Sequence, residues 1–300
     1  MSENPTHFKT GAATHCAGAA PDRHYRPTLV LLHGIGGNAV GLAPAVAALE
    51  SCGWPSVAWS QPGYDGKPLV EPYDLDTCAR ALGEWLATQG PGGFVLVGHS
   101  MGGMLAQAFN AQLGQAAQLT GPADAARRDR APRAGVVGLV LAHTSPAFGK
   151  PGGEFQQRFI ASRTRALDEG KSMREIAATL VPGMMAPGAS AAAREAGVAM
   201  MAAVPPQTYR LAVAAISAFD ARAHLPRIAV PTLCLAAAHD ETAAPGVLER
   251  MAQHIPGADY QCLDGLGHLA PIEDPPRWAA AVAAWCDRRI GREMAGTGGS

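Results

Sequence analysis

Ser100 lies in the stretch FVLVGHSMGG, Phe94 to Gly103, where a short branched apolar run ends abruptly in glycines. Gly98, Gly102 and Gly103 surround the serine, and an amphipathic pattern begins immediately afterwards with Met104, Leu105, Ala108 and Phe109. A buried strand, a sharp turn and a helix in direct succession would project the serine hydroxyl from a strained corner, with a helix N-terminus aimed at the same spot. A hydroxyl becomes a competent nucleophile when a base takes its proton and a carboxylate orients that base. Two later segments offer those partners. DGLGHLAPIEDPP, Asp264 to Pro276, places His268 in a glycine-rich turn, and CLAAAHDETAAP places Asp240 just beyond an apolar run, with Glu241 its immediate neighbour.

These residues need a frame that collects them. Short apolar runs predict strands at TLVLLHG, SVAWS, FVLVGHS, GVVGLVLAHT, TLCLAAAHD and DYQCLDG. Helical patterns alternate with them: NAVGLAPAVAALE with Asn38 as cap, DLDTCARALGEWLAT with Asp74 as cap, the run from Met101, and PPRWAAAVAAWCDRRI with Trp278, Val282 and Trp285 on one face. Such alternation predicts an α/β fold with a mostly parallel sheet covered on both faces. In an open sheet of this kind, reactive groups gather beyond the carboxyl ends of the strands. Residues 145–221 carry only helical patterns and predict an inserted helical cap over a core made of 1–144 and 222–292. Residues 114–135 read as a polar solvent-exposed extension and 293–300 as a disordered tail.

Composition limits the function classes. The 300 residues carry a formal net charge of -1, which supplies no basic excess to neutralise phosphates and speaks against nucleic acid as a partner. No apolar run approaches the roughly 20 residues that cross a bilayer. The N-terminal segment lacks a basic region followed by an apolar one, so no secretory signal is expected. Six cysteines without CxxC pairs are expected to be reduced thiols, and the protein to be cytoplasmic. No His/Cys/Asp/Glu grouping has metal-ligand spacing, so no metal is expected. The oligomeric state stays open.

Gly34-Ile35-Gly36-Gly37-Asn38-Ala39 formally fits a dinucleotide fingerprint, G-x-G-x-x-A. That motif needs an acidic residue at the end of the next strand, where Gln61 stands. His33 is expected to hold the loop it begins and His99 to pack; His143 and His239 end strands. Met184, Met185, Met200 and Met201 read more readily as core packing than as pocket lining.

Taken together, LVLLHGIGG, VGHSMGG, VPTLCLAAAHD and GLGHLAPIEDP make the chain resemble the α/β-hydrolase-fold enzymes over nearly its whole length, with the chain order Ser, Asp, His that marks them. The cap more narrowly resembles the branch of 3-oxoadipate enol-lactonases and related esterases. The resemblance implies a serine hydrolase acting on a small-molecule carboxylic ester or lactone without a cofactor. Ser100 would be the nucleophile, His268 the base and Asp240 its orienting acid. The backbone N–H groups of Ile35 and Met101 would form the oxyanion hole. Three departures stand out: WSQPGYDG where an Asp-Arg-x-Gly-like turn is common, Ala237 for a frequent glycine, and Glu241 for a proline. Thioester hydrolysis, acyl transfer, C–C hydrolysis and perhydrolysis remain open on the same fold, as does a catalytically weak ligand sensor. The cap is rich in arginine, and Arg158, beside Phe159 and three residues after Phe155, is the expected contact for an anionic substrate group.

Overall fold

The apolar runs pair as one parallel sheet in the computed structural model, which describes residues 7–8, 26–90, 92–119, 135–149 and 153–296. Its strands are β1 (His7–Phe8), β2 (Thr28–Leu32), β3 (Ser56–Trp59), β4 (Gly93–His99), β5 (Gly135–Ala142), β6 (Thr232–Ala237) and β7 (Asp259–Leu263). They lie in the order β1-β7-β6-β5-β4-β2-β3. β1 is an edge pairing that no hydrophobic pattern announces. From Phe94 to His99 and throughout β6 every residue is buried, as a sheet covered on both faces requires.

The helices are α1 (Ala43–Ser51), α2 (Leu75–Thr88), α3 (Met101–Leu119), α4 (Glu154–Asp168), α5 (Met173–Leu180), α6 (Ala191–Ala202), α7 (Pro206–Ala218), α8 (Pro245–His254), α9 (Ala270–Glu273) and α10 (Pro275–Gly296). α2 starts where expected: the Asp74 carboxylate accepts from the Thr77 N–H at 2.7 Å, and Leu75, Cys78, Leu82 and Leu86 are buried on one face. α1 starts later than expected, at Ala43, because residues 39–42 form a tighter turn ahead of it, which Asn38 caps. Its Oδ1 accepts from the Gly41 N–H at 2.6 Å, and its Nδ2 donates to the Met200 carbonyl at 3.3 Å, tying the loop after β2 to α6.

Trp278, Val282 and Trp285 are buried along α10, and the Trp285 indole donates to Asp259 at 2.7 Å. α10 continues to Gly296, so the tail expected from residue 293 begins inside a helix; residues 297–300 lie outside the described ones. Likewise α3 reaches Leu119, so the expected extension at 114–135 begins as helix, and its residues 120–134 lie outside the described ones.

Between β5 and β6 the described residues form helices α4 to α7. The two ends of this excursion meet: Ala147 bridges Asp220, and the Ala221 N–H donates to the Pro146 carbonyl at 2.7 Å. Cys78, Cys234, Cys262 and Cys286 are free thiols, whereas Cys52 is disulfide-bonded, a departure from the expectation of six reduced thiols. No helix of the described residues is long and apolar enough to cross a membrane.

Candidate active site

The turn after β4 is sterically determined. Ser100 has φ of +54°, in the left-handed region that non-glycine residues rarely occupy. Its N–H donates to the Ala142 carbonyl at 2.9 Å, and the Thr144 hydroxyl donates to its carbonyl at 2.7 Å, so the end of β5 and the loop after it hold the strained corner. The flanking glycines are compulsory. A Cβ on Gly98 would lie 2.4 Å from the Gly102 carbonyl oxygen, one on Gly102 would lie 2.0 Å from the Leu32 carbonyl oxygen, and one on Gly103 would strike the Thr144 side chain at 2.7 Å.

Three segments that follow β4, β6 and β7 deliver a continuous hydrogen-bonded chain of side chains. The Ser100 hydroxyl lies 3.0 Å from His268 Nε2, and His268 Nδ1 lies 2.9 Å from Asp240 Oδ2. The other carboxylate oxygen, Oδ1, accepts from the Thr242 N–H at 2.9 Å and the Ala243 N–H at 2.8 Å. These contacts fix the imidazole with Nδ1 protonated and Nε2 free to accept. Burial pushes the Asp240 carboxyl up. The neighbouring histidines, the His268 hydrogen bond and the Ala243 N–H outweigh it, and the net shift is below the ordinary carboxylate range. Glu241 and His239 both face solvent.

Ile35 and Met101 flank the serine. Both line the cavity in front of it. Met101 is the first residue of α3, so its N–H has no intrahelical acceptor. The Ile35 loop is braced through its carbonyl, which accepts from the Tyr64 hydroxyl at 2.9 Å. His33 stabilises the same loop as expected. Its Nδ1–H donates to the Gly34 carbonyl at 2.9 Å, and its Nε2 accepts from the Gln61 N–H at 3.2 Å. Gln61 therefore serves the loop, donating from its amide to the His33 carbonyl at 2.6 Å. His99 does more than pack: its Nε2–H donates to the His268 carbonyl at 2.7 Å and so ties the backbone of His268 to the turn after β4.

His143 directly follows β5 and lines the cavity, as its place in the sequence allowed, but it is not the satisfied structural histidine expected. It is fully buried, has φ of +51°, and lies 3.7 Å from Asp240 Oδ2, while neither ring nitrogen has a hydrogen-bond partner. Burial lowers its pKa to about 3, so it is neutral at physiological pH. Its position at the end of β5, next to β4 and β6, was the available signal.

The cavity over Ser100 is bounded by the core and by α4 to α7. Met184, Met200 and Met201 line it together with Met101 and Met104, so the methionines between β5 and β6, expected as packing, mostly form its wall; Met185 is buried outside that lining. Arg158 does not reach it. Its side chain is 71% exposed and paired with Glu154 at 3.3 Å. The inward face of α4 is set by Gln156, Phe159 and Arg163, whereas Phe155 is 58% exposed, so the helix is rotated away from the phase expected for it. Among the described residues no three His, Cys, Asp or Glu side chains are grouped to hold a metal ion.

Fold and relay together define an α/β-hydrolase, and residues 29–282 match the alpha/beta hydrolase family: the chain belongs to it. It is 27% identical over 253 residues to the putative carbamate hydrolase RutD of Stutzerimonas stutzeri, covering 83% of this chain and 87% of that protein. It is 28% identical over 247 residues to the polyketide synthase ThaQ of Burkholderia thailandensis, covering 80% of this chain but spanning only 11% of that much longer protein. Among solved structures, an esterase from Thermogutta terrifontis superposes with a TM-score of 0.71 at 24% identity, over 88% of this chain and 90% of that one. An enol-lactonase from Burkholderia xenovorans LB400 superposes with a TM-score of 0.68 at 22% identity, over 88% and 93%. These two likenesses concern the fold.

Proposed function

We propose that the protein is a serine hydrolase that cleaves a small-molecule carboxylic ester or lactone through an acyl-enzyme, with residues 145–221 acting as a cap over the site. The observation that carries this reading is the unbroken Ser100–His268–Asp240 relay, with steps of 3.0 and 2.9 Å, at the mouth of a largely apolar cavity.

The steps follow from the geometry. Ser100 Oγ attacks the substrate carbonyl carbon as its proton passes to His268 Nε2. Asp240, ionised and buried, stabilises the imidazolium that forms and keeps its orientation. Negative charge develops on the former carbonyl oxygen, opposite the N–H groups of Ile35 and Met101, each such donor contributing roughly 3 kcal/mol in the transition state. The C–O bond breaks and the leaving oxygen takes the proton from His268. A water molecule then gives a proton to the same nitrogen and attacks the acyl carbon, releasing the acid and returning the proton to Ser100. No step calls for a cofactor. The esterase and enol-lactonase folds among the similar structures support this substrate class.

Thioester cleavage and acyl transfer use the same relay and differ in leaving group and acceptor, and a weak sensor would acylate once and stall. A panel of purified-protein assays tests the reading: 4-nitrophenyl esters, simple lactones and an acyl thioester. Steady multiple turnover of esters or lactones is expected. One stoichiometric burst without turnover would replace the enzyme with a sensor.

A further inference from the structure

His143 is a buried polar side chain that the proposed steps do not use. Among the described residues three non-glycine positions have positive φ, Asp65, Ser100 and His143, and the last two line one cavity. The His143 N–H donates to the Leu235 carbonyl at 2.9 Å, which holds its left-handed backbone against β6. A strained residue persists where its surroundings over-determine it, and such residues gather at working sites. Both ring nitrogens are buried without a hydrogen-bond partner, a costly state that calls for an explanation.

The groups that face the ring decide what it can do. His99, at the end of β4, lies 5.7 Å away between ring centroids, and its Nε2–H is already given to the His268 carbonyl. His268, after β7, lies 6.4 Å away, and its nitrogens are engaged with Asp240 and Ser100. Asp240, after β6, brings Oδ2 to 3.7 Å from His143 Nδ1. Its Oδ1 holds two donors, the Thr242 and Ala243 N–H groups, whereas its Oδ2 holds only His268 Nδ1 among the described residues. A carboxylate oxygen can accept two hydrogen bonds, so Oδ2 keeps one acceptor site open beside an unpartnered ring nitrogen. Closing the gap by about 0.8 Å gives an N–H···O bond of ordinary length. An ionised carboxylate has no proton to give, so only a ring protonated on Nδ1 makes that bond. Burial keeps the ring neutral, so the contact is a hydrogen bond to a dipole and not an ion pair.

We infer that His143 is a positioning residue: as its neutral Nδ1–H tautomer it donates to Asp240 Oδ2 and completes a set of four donors on that carboxylate. The consequence for the reaction rests on the hydrolase reading above. A fourth donor offsets the negative charge that draws a proton onto the Asp240–His268 pair. The pair therefore keeps His268 Nε2 unprotonated, and able to accept from Ser100, down to lower pH.

Nitrogen NMR and pH profiles test the proposal separately. In the parent protein the His143 ring, identified by the signals missing from His143→Asn, should be the neutral Nδ1–H tautomer down to about pH 5. Asp240→Asn should move that Nδ1–H proton resonance upfield, because a carboxylate is the stronger acceptor. In kcat/KM for 4-nitrophenyl acetate, His143→Leu removes the donor and should raise the midpoint of the acid limb by about half to one pH unit. His143→Asn offers an amide N–H at a similar reach, suits a left-handed backbone and does not titrate, so it should bring the midpoint back towards the parent value. A purely structural role would lower the rate alike at every pH and leave the midpoint in place. That result in His143→Leu, or an equal shift in both variants, would overturn the proposal. So would an Nε2–H tautomer in the parent, a measurement that does not depend on whether His143→Leu folds. A parent that turns over no ester, yet shows the Nδ1–H tautomer and its dependence on Asp240, would overturn the hydrolase reading and support the hydrogen bond.

Discussion

His268 Nδ1 lies 2.9 Å from Asp240 Oδ2, while the next residue along the chain, Glu241, points to solvent. Adjacent residues of a loop cannot both present their carboxylates to one imidazole, and here the two N–H donors from Thr242 and Ala243 hold Asp240 in place. Asp240→Asn should reverse the imidazole tautomer and lower kcat by about 10⁴-fold, as in the serine-protease case. Glu241→Gln should cost less than about tenfold. Steady-state rates of the two variants on one 4-nitrophenyl ester check the ranking, and the opposite order would move the acid by one residue.

The elbow should tolerate no added methyl group. Gly102→Ala places a Cβ 2.0 Å from a backbone oxygen of β2, which a side-chain adjustment cannot relieve. Soluble yield and cooperative unfolding should collapse together with activity. Gly114→Ala is the contrast within the same helix: its Cβ meets nothing within 4 Å. There the change should stabilise by roughly 0.5–1 kcal/mol through helix propensity. Equal behaviour of the two variants in urea denaturation would contradict the steric account.

Acid should destabilise the fold through its buried neutral histidines. Burial lowers the pKa of His33 to about 4 and that of His143 to about 3; burial, aided by the neighbouring histidine charges, also pushes His99 well below its ordinary value. In the unfolded chain these imidazoles titrate near 6.5. Between that value and their folded pKa values the unfolded state holds more protons, so stability is full above about pH 6.5 and falls as pH drops. Each such group contributes a slope of about 1.4 kcal/mol per pH unit within its window. Urea midpoints at pH 7.5 and pH 5 should differ clearly, and equal midpoints would show that these histidines are protonated or solvated in the native state.

Arg158→Ala should change turnover of neither an anionic nor a neutral ester measurably. Its pair with Glu154 is a surface contact one helical turn apart, worth about 0.3–0.5 kcal/mol of stability. A large rise in KM for the anionic ester alone would return Arg158 to the pocket.

The contrast between Arg158 and Arg163 shows where reading from sequence stops. The strand–glycine–serine–glycine stretch is legible because only one backbone geometry accommodates it, and the close approaches at Gly98, Gly102 and Gly103 express that restriction. The order of Ser100, Asp240 and His268 along the chain is legible because each follows a recognisable apolar run. The phase of α4 is not, since Phe155 and Phe159 both look like core residues. In the fold Phe155 stays largely exposed, stacked on Phe148. Which way such a helix faces is decided by what it lies on, a long-range fact. For the same reason the methionines' place among the helices between β5 and β6 could be read, but not their share of the cavity wall. Asn38 uses a capping residue's chemistry on the Gly41 N–H, but its second bond, from Nδ2 to the Met200 carbonyl far along the chain, could not be read from local pattern.

The central claim is a covalent acyl-enzyme on Ser100, and mass spectrometry of the protein after exposure to a 4-nitrophenyl alkylphosphonate tests it most directly. The account predicts a single adduct on the peptide containing Ser100, loss of ester hydrolysis in step with labelling, and an unlabelled Ser100→Ala variant whose kcat is down by about 10⁴- to 10⁶-fold. An adduct on another residue, or a Ser100→Ala variant that still turns over esters at the parent rate, would contradict it.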